Sequence, residues 1–309
     1  MQLIFSTNTI LTYRIFAWFV LLLTILVIIS GDIVQITGSG AGCGESWPKC
    51  NNELLPDVTN TNTIIEFIHR ILTTIVGFCI IALALFSRIL LGKNHFCTKA
   101  TYTAIFFLVT EILIGAMLVR FGWVEFDMSW GRVIVDSLHV LNTFFLVATL
   151  ASSTQYKNGT YLSNYLKNTR TLIIAVIIFL IIAVTGALNS LADLLYIESM
   201  PASQKNNIYN FLISVRALHP FIAITGGITI AYIFLTFSDR LFAIYQKKLI
   251  IIILATIGVQ FFIGILNIFL MTPLIIQIIH LVLANILWIS IVLFIVDRMT
   301  NEIEHPELN

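Results

Sequence analysis

Apolar residues run along this chain in eight long blocks, at about 12–30, 64–86, 101–119, 133–151, 171–188, 213–236, 249–270 and 273–296. Each is close to the ~20 residues that cross a bilayer as a helix. Lipid offers no partner to backbone polar groups, so blocks of this length predict helices rather than open strands. The pattern predicts an all-α integral membrane protein of eight transmembrane helices. Composition agrees: of 309 residues, 58% are hydrophobic and 11% charged, leaving no room for a sizeable soluble domain.

Charge orients the spans. The N-terminus and the loops after spans 2, 4 and 6, with the C-terminus, carry Arg14, Arg88, Lys93, Lys99, Lys157, Lys167, Arg170, Arg240, Lys247, Lys248 and Arg298. The opposite side carries Lys49, Arg120, Arg132 and Lys205. Basic residues stay cytoplasmic, which puts both termini inside and the loops at 31–63, 120–132 and 189–212 outside. A net charge of +1 with no basic patch beyond the inner loops gives no sign of nucleic-acid binding. The first residues lack the Arg- and Ser-rich amphipathic stretch of a mitochondrial transit peptide, so a bacterial cytoplasmic membrane is the simplest location.

The spans repeat. Spans 1–4 laid on spans 5–8 bring His69 onto His219 and His139 onto His280. Glu111 and Gly115 fall on Gln260 and Gly264, and both first spans end in Thr-Gly, Thr37-Gly38 and Thr185-Gly186. An even number of spans per repeat inserts both halves the same way up. This predicts two parallel-repeat four-helix bundles, residues 1–152 and 171–296, about a pseudo-twofold axis along the membrane normal. The four histidines then lie in the outer third of their spans, pairwise at similar depth. That arrangement suits two axial ligands on one haem iron per half. A lone intramembrane histidine is more often a packing residue, but four at repeat-matched positions favour function. A non-haem metal lacks an HxxxH box, and a proton relay or transporter site is the remaining option. His95 and His305 fall in polar segments and read as solvated.

The halves differ in charge. Three positions before each histidine stand Glu66 and Asp136 in the first half, Arg216 and Gln277 in the second. Glu111 against Gln260 follows suit. Carboxylates beside a site can move protons or stabilise a developing cation, so the first half reads as the place of chemistry. Arg216 can neutralise a haem propionate, and Arg70 can do so in the first half. The structural alternative is that Glu66, Asp136 and Glu111 pair with Arg70, Arg120 or Arg132. Asn142, Asn267 and Asn285 are expected to bond across helices. Thr37 to Gly42 lacks the Lys-Ser/Thr of a phosphate loop and reads as a tight turn. Cys43 and Cys50 share the first outer loop, where a disulfide can persist, two free thiols being the alternative. Cys79 reads as a buried apolar residue and Cys97 as an inner-side thiol.

The stretch Gly31 to Pro56, with Thr-Gly-Ser-Gly, Cys43, Trp47-Pro48 and Cys50, resembles the first outer loop of the haem A synthase family. So do Glu66-Phe67-Ile68-His69-Arg70, Leu138-His139 with Asn142, and the histidines of spans 6 and 8. The resemblance implies oxidation of the C8 methyl of haem O to a formyl group, giving haem A for cytochrome oxidase. It implies a haem b on His219 and His280, a substrate haem site at His69 and His139, an essential carboxylate at Glu66 and an outer-loop pair at Cys43 and Cys50. Implied partners are haem O synthase (protohaem farnesyltransferase), cytochrome oxidase assembly factors, membrane lipid and a second copy of the chain. One departure is that Ala187 to Asn210 holds no cysteine, although many members carry a second pair there. The competing reading is a di-haem electron carrier of the membrane cytochrome b kind, which would want two equivalent sites.

Overall fold

The computed structural model describes residues 7–56, 59–156, 169–197, 206–238 and 244–301. Its eight helices are α1 (Thr7–Ile36), α2 (Thr61–Leu91), α3 (Phe96–Arg120), α4 (Trp130–Ser153), α5 (Thr169–Ile197), α6 (Asn207–Ser238), α7 (Ile244–Phe269) and α8 (Leu274–Asn301). All eight are long and apolar enough to cross a membrane. Among the described residues the sole β pairing is an isolated bridge between Cys50 and Glu53. The fold is therefore the eight-helix membrane architecture that the apolar blocks predict.

The helices outrun those blocks, because polar residues can extend a helix beyond the hydrocarbon. Residues 31–36, expected in the outer loop, continue α1, and α5 continues from 189 to Ile197. The α7–α8 connection is short. It turns through Met271 and Thr272, both at positive φ, while Thr272 N–H donates to Asn267 O at 2.7 Å. Of the basic residues that set the expected orientation, Lys157, Lys167, Lys205 and Arg240 lie outside the described residues, as does His305.

Helices adjacent in sequence pack on each other within each set of four. The fourth of each set also returns to the first, so that α1 touches α4 and α5 touches α8. Contacts between the sets come from α1, α4, α5 and α8. Trp288 on α8 is fully buried at this centre. Its ring stacks on Phe179 of α5 at 4.8 Å and meets Phe144 of α4 edge-on at 5.9 Å, and its indole N–H donates to Phe144 O at 2.8 Å. Lipid is as apolar as a helix face, so this packing and this hydrogen bond, more than transfer from water, favour association of the sets.

The connections sort to two ends. At one end Arg120 reaches Glu45 O at 3.5 Å, Asn206 reaches Met128 O at 3.2 Å, and Trp130 packs on Phe211. At the other, His95 accepts from Cys97 N–H as the N-cap of α3 and stacks on Tyr156 at 5.3 Å. His95 is thus a cap with a ring partner, where its polar surroundings suggest simple solvation. Cys97 is buried and its thiol points to Gln155 O.

Replacing Trp288 by Ala should cost about 3–5 kcal/mol, since it opens a cavity and strands Phe144 O at the centre. Thermal unfolding of the detergent-purified protein should show a clearly lowered midpoint; an unchanged midpoint would remove Trp288 from its central role.

Candidate functional site

The four histidines stand roughly one and a half to three and a half turns into α2, α4, α6 and α8, all helices that start from the same end of the bundle. His69 and His139 lie within electrostatic reach of each other, as do His219 and His280. All four rings are half-buried.

Each ring leans its Cε1 edge on a glycine of a neighbouring helix. A β-carbon added at Gly31, Gly186, Gly264 or Gly115 would stand 3.0, 3.2, 3.4 or 3.8 Å from Cε1 of His69, His219, His280 or His139 respectively. The first two approaches are tighter than most side-chain contacts, so glycine there lets the helix backbone close on the ring, while the other two are ordinary contacts.

Hydroxyl groups then settle which nitrogen carries the proton. Ser30 Oγ lies 2.8 Å from His69 Nδ1 and spends its single proton on Val27 O at 2.7 Å. Thr185 Oγ1 lies 3.1 Å from His219 Nδ1 and spends its proton on Ile181 O or Ile182 O, each at 3.0 Å. With the hydroxyl proton on the backbone carbonyl, the imidazole is the donor through Nδ1–H, which leaves the Nε2 lone pair for a metal. This corrects the expected register of the repeat. The counterpart of Thr185-Gly186 is Ser30-Gly31, not Thr37-Gly38, because Gly186 lies inside α5 whereas Gly38 lies in the turn after α1 at φ +63°.

The second histidine of each pair faces a different group. His139 Nδ1 is 3.3 Å from Glu111 Oε1, in ion-pair range but off the line of a hydrogen bond. Glu111 accepts from Asn142 Nδ2 and from Thr143 Oγ1, and Thr110 donates to Asn142 Oδ1 at 2.6 Å. Glu111 is therefore held by neutral donors on α4, not by an arginine. In the second half Gln260 donates to His280 O at 3.1 Å, while Gln260 Oε1 and His280 Nδ1 both lack a hydrogen-bond partner.

Glu66 is 3% exposed. Arg70, one turn on, donates to its Oε1 from Nη2 at 2.5 Å and Nε at 3.1 Å, and Cys43 N–H donates to Oε2 at 2.8 Å. Arg70 Nη1 also donates to Ser46 O and Lys49 O. Both carbonyls lie within the loop closed by the Cys43–Cys50 disulfide. All three guanidinium nitrogens thus join the carboxylate to the loop, where a haem propionate was the expected partner. Thr63 Oγ1 donates to Gly42 O at 2.7 Å, and Gly42 lies against Asn62 and Thr63, leaving no space for a side chain. The stretch Thr37–Gly42 forms successive turns, as its glycines predict.

The remaining expectations divide. Asp136 pairs with Arg132 at 3.4 Å, the structural alternative. Arg216 Nε donates to Asp193 at 2.5 Å, and Asp193 also accepts from Asn189. Pro220, directly after His219, removes one backbone rung of α6 beside that pair. Asn142 bonds across to α3 as expected, but Asn285 bonds Leu281 O on its own helix, and the Oδ1 atoms of Asn267 and Asn285 have no hydrogen-bond partner. Those two amide oxygens sit where the neighbouring helix offers no donor. Among the described residues no group of three or more His, Cys, Asp and Glu gathers as for a bare metal ion. The donor set that does exist, histidines paired on facing helices with the first of each pair tied back through Nδ1–H, fits the two axial positions of a haem.

Residues 14–292 match the model of the COX15-CtaA family, described as cytochrome oxidase assembly protein. The chain is 32% identical over 301 residues to a protohaem IX farnesyltransferase of Thermus thermophilus, covering 95% of this chain and 49% of that protein. It is 34% identical over 119 residues to the haem A synthase of Lysinibacillus sphaericus, covering 38% of this chain and 39% of that protein. It is 32% identical over 166 residues to the haem A synthase of Bacillus licheniformis, covering 53% of each. The chain therefore spans about half or less of the length of these curated relatives. With a match over most of its length and eight membrane-spanning helices, the chain belongs to the COX15-CtaA family of cytochrome oxidase assembly proteins.

Proposed function

We propose that this protein is a haem A synthase, an oxidoreductase that converts the C8 methyl of haem O to a formyl group. The observation that carries the proposal is Glu66, a buried carboxylate fixed from two sides, three residues before one of the paired histidines. The family match and the names of the Lysinibacillus and Bacillus relatives support it. The name of the Thermus relative, of which this chain covers 49%, supports a place beside haem farnesylation and haem O synthase as a partner.

In this reading the two sets of four helices are bundles related by a pseudo-twofold axis, in the bacterial cytoplasmic membrane with both termini cytoplasmic. His69 and His139 would hold the substrate haem O. His219 and His280 would hold a haem b, which would supply one-electron transfer. Thr185 holds His219 in the tautomer that presents Nε2, as Ser30 does for His69. Asp193 holds Arg216, three residues before His219, where it would neutralise a propionate of the second haem. Asp193, Ser30 and Thr185 are support residues for these sites.

Glu66 accepts three hydrogen bonds, two on Oε1 and one on Oε2. A carboxylate has about four acceptor positions, so one on Oε2 remains. There Glu66 receives a proton from the oxidised carbon or steadies positive charge as it develops. Arg70 and the Cys43 amide hold the carboxylate in place for this. The disulfide closes the loop that supplies the amide, so the cysteines act on Glu66 through position.

Glu66→Gln should keep bound haem and lower conversion of haem O by at least about 100-fold. Chromatography of extracted haems from cells making haem O reads this directly, and undiminished haem A would refute the role. Cys43→Ser should also keep haem while lowering conversion by roughly 10- to 100-fold through misplacement of Glu66. Full conversion in that variant would reduce the disulfide to a loop closure of no consequence for Glu66.

A further inference from the structure

The two halves present the same kind of ligand, yet the group behind the second ligand differs in charge. Behind His139 stands the carboxylate of Glu111, with Oε1 3.3 Å from Nδ1. Behind His280, at the repeat-matched position on α7, stands the neutral amide of Gln260, whose Nε2 is turned to His280 O. The first ligands do not differ in this way, since His69 and His219 both meet a neutral hydroxyl. Glu111 and Gln260 are therefore a difference in charge between the sites at the Nδ1 edge of a ligand ring, beside the charges of Arg70 and Asp136 that reach His69 and His139.

Glu111 is also held where this role needs it. Asn142 and Thr143, both on α4 with His139, donate to its two oxygens, and Thr110 in turn fixes Asn142. The negative charge of a carboxylate 3.3 Å from Nδ1 favours positive charge on the ring and on the iron it binds, and so stabilises the ferric state. A neutral amide does this less.

We propose that Glu111 is a positioning and tuning residue that makes His139 the strongest electron donor among the four histidines, setting the substrate-site iron at a lower reduction potential than the iron of the second site. The proposal rests on the reading above that His139 ligates the substrate haem. It assigns Glu111 no contact with the reacting methyl, which is left to Glu66. It also orders the two sites electrically, with the iron held by His219 and His280 at the higher potential.

The test is a spectroelectrochemical titration of purified protein loaded with haem O and haem b, with the ferric EPR spectrum of each site. Glu111→Gln should raise the potential of the first-site haem and shift its g-values, leaving the second site unmoved. Gln260→Glu should lower the potential of the second-site haem alone. Glu111→Asp, which keeps the charge, should restore part of the first-site shift. An unmoved first-site potential in Glu111→Gln with haem retained would overturn the proposal. If Glu111→Gln retains no first-site haem, an unmoved second-site potential in Gln260→Glu overturns it instead. His139→Ala separates this from the ligation reading: a first-site spectrum indifferent to His139 would remove the ligand itself, whatever Glu111 does.

Discussion

A histidine in the hydrocarbon region has two ring nitrogens and water for neither. In the first histidine of each pair one nitrogen is satisfied by protein, which leaves the other to be offered to a metal. In this fold a neighbouring helix supplies the answer with two adjacent residues, a hydroxyl and a glycine. Ser30-Gly31 serves His69 and Thr185-Gly186 serves His219. The hydroxyl takes the Nδ1–H because its own proton is already given to the helix backbone, and the glycine lets the helix approach within contact of the ring.

Much of the fold is legible in the chain because hydrocarbon thickness imposes a single length scale on apolar runs. Hydropathy places the hydrophobic cores of all eight spans. It does not place their ends, since α1 and α5 run on past the apolar stretch where nothing in hydropathy marks a stop. The histidines and Glu66 are legible because an ionisable group is costly in a span. Ser30, Gly31 and Asp193 are not. A serine or glycine in a helix costs the membrane little, so neither stands out until a ring is found against it. Asp193 lies in a stretch that reads as outer loop, and its pairing with Arg216 needs α5 to continue and bring it alongside α6. The Thr37-Gly38 match fails for the same reason, since sequence spacing marks no helix end.

The disulfide-closed loop and the charged groups work as one unit. Arg70 is hydrogen-bonded at once to Glu66 and to two carbonyls of the disulfide-closed loop, while Cys43 of that loop bonds the other oxygen of Glu66. A buried ion pair is costly unless its remaining hydrogen-bonding capacity is met, and here the loop meets it. In the second half the partner of Arg216, Asp193, comes from a helix instead of a disulfide-closed loop. Two carboxylates of the first half thus stand beside its histidine pair. Glu66 is held by the loop, and Glu111 lies 3.3 Å from His139 Nδ1.

The central claim is that one histidine pair keeps a resident haem b and the other receives a haem as substrate. Pigment extraction from the purified His219→Ala and His69→Ala variants tests it most directly. The account predicts that His219→Ala loses haem b, while His69→Ala keeps haem b and loses the sub-stoichiometric haem O or haem A. Retention of haem b in His219→Ala with its loss in His69→Ala would reverse the two halves and contradict the account.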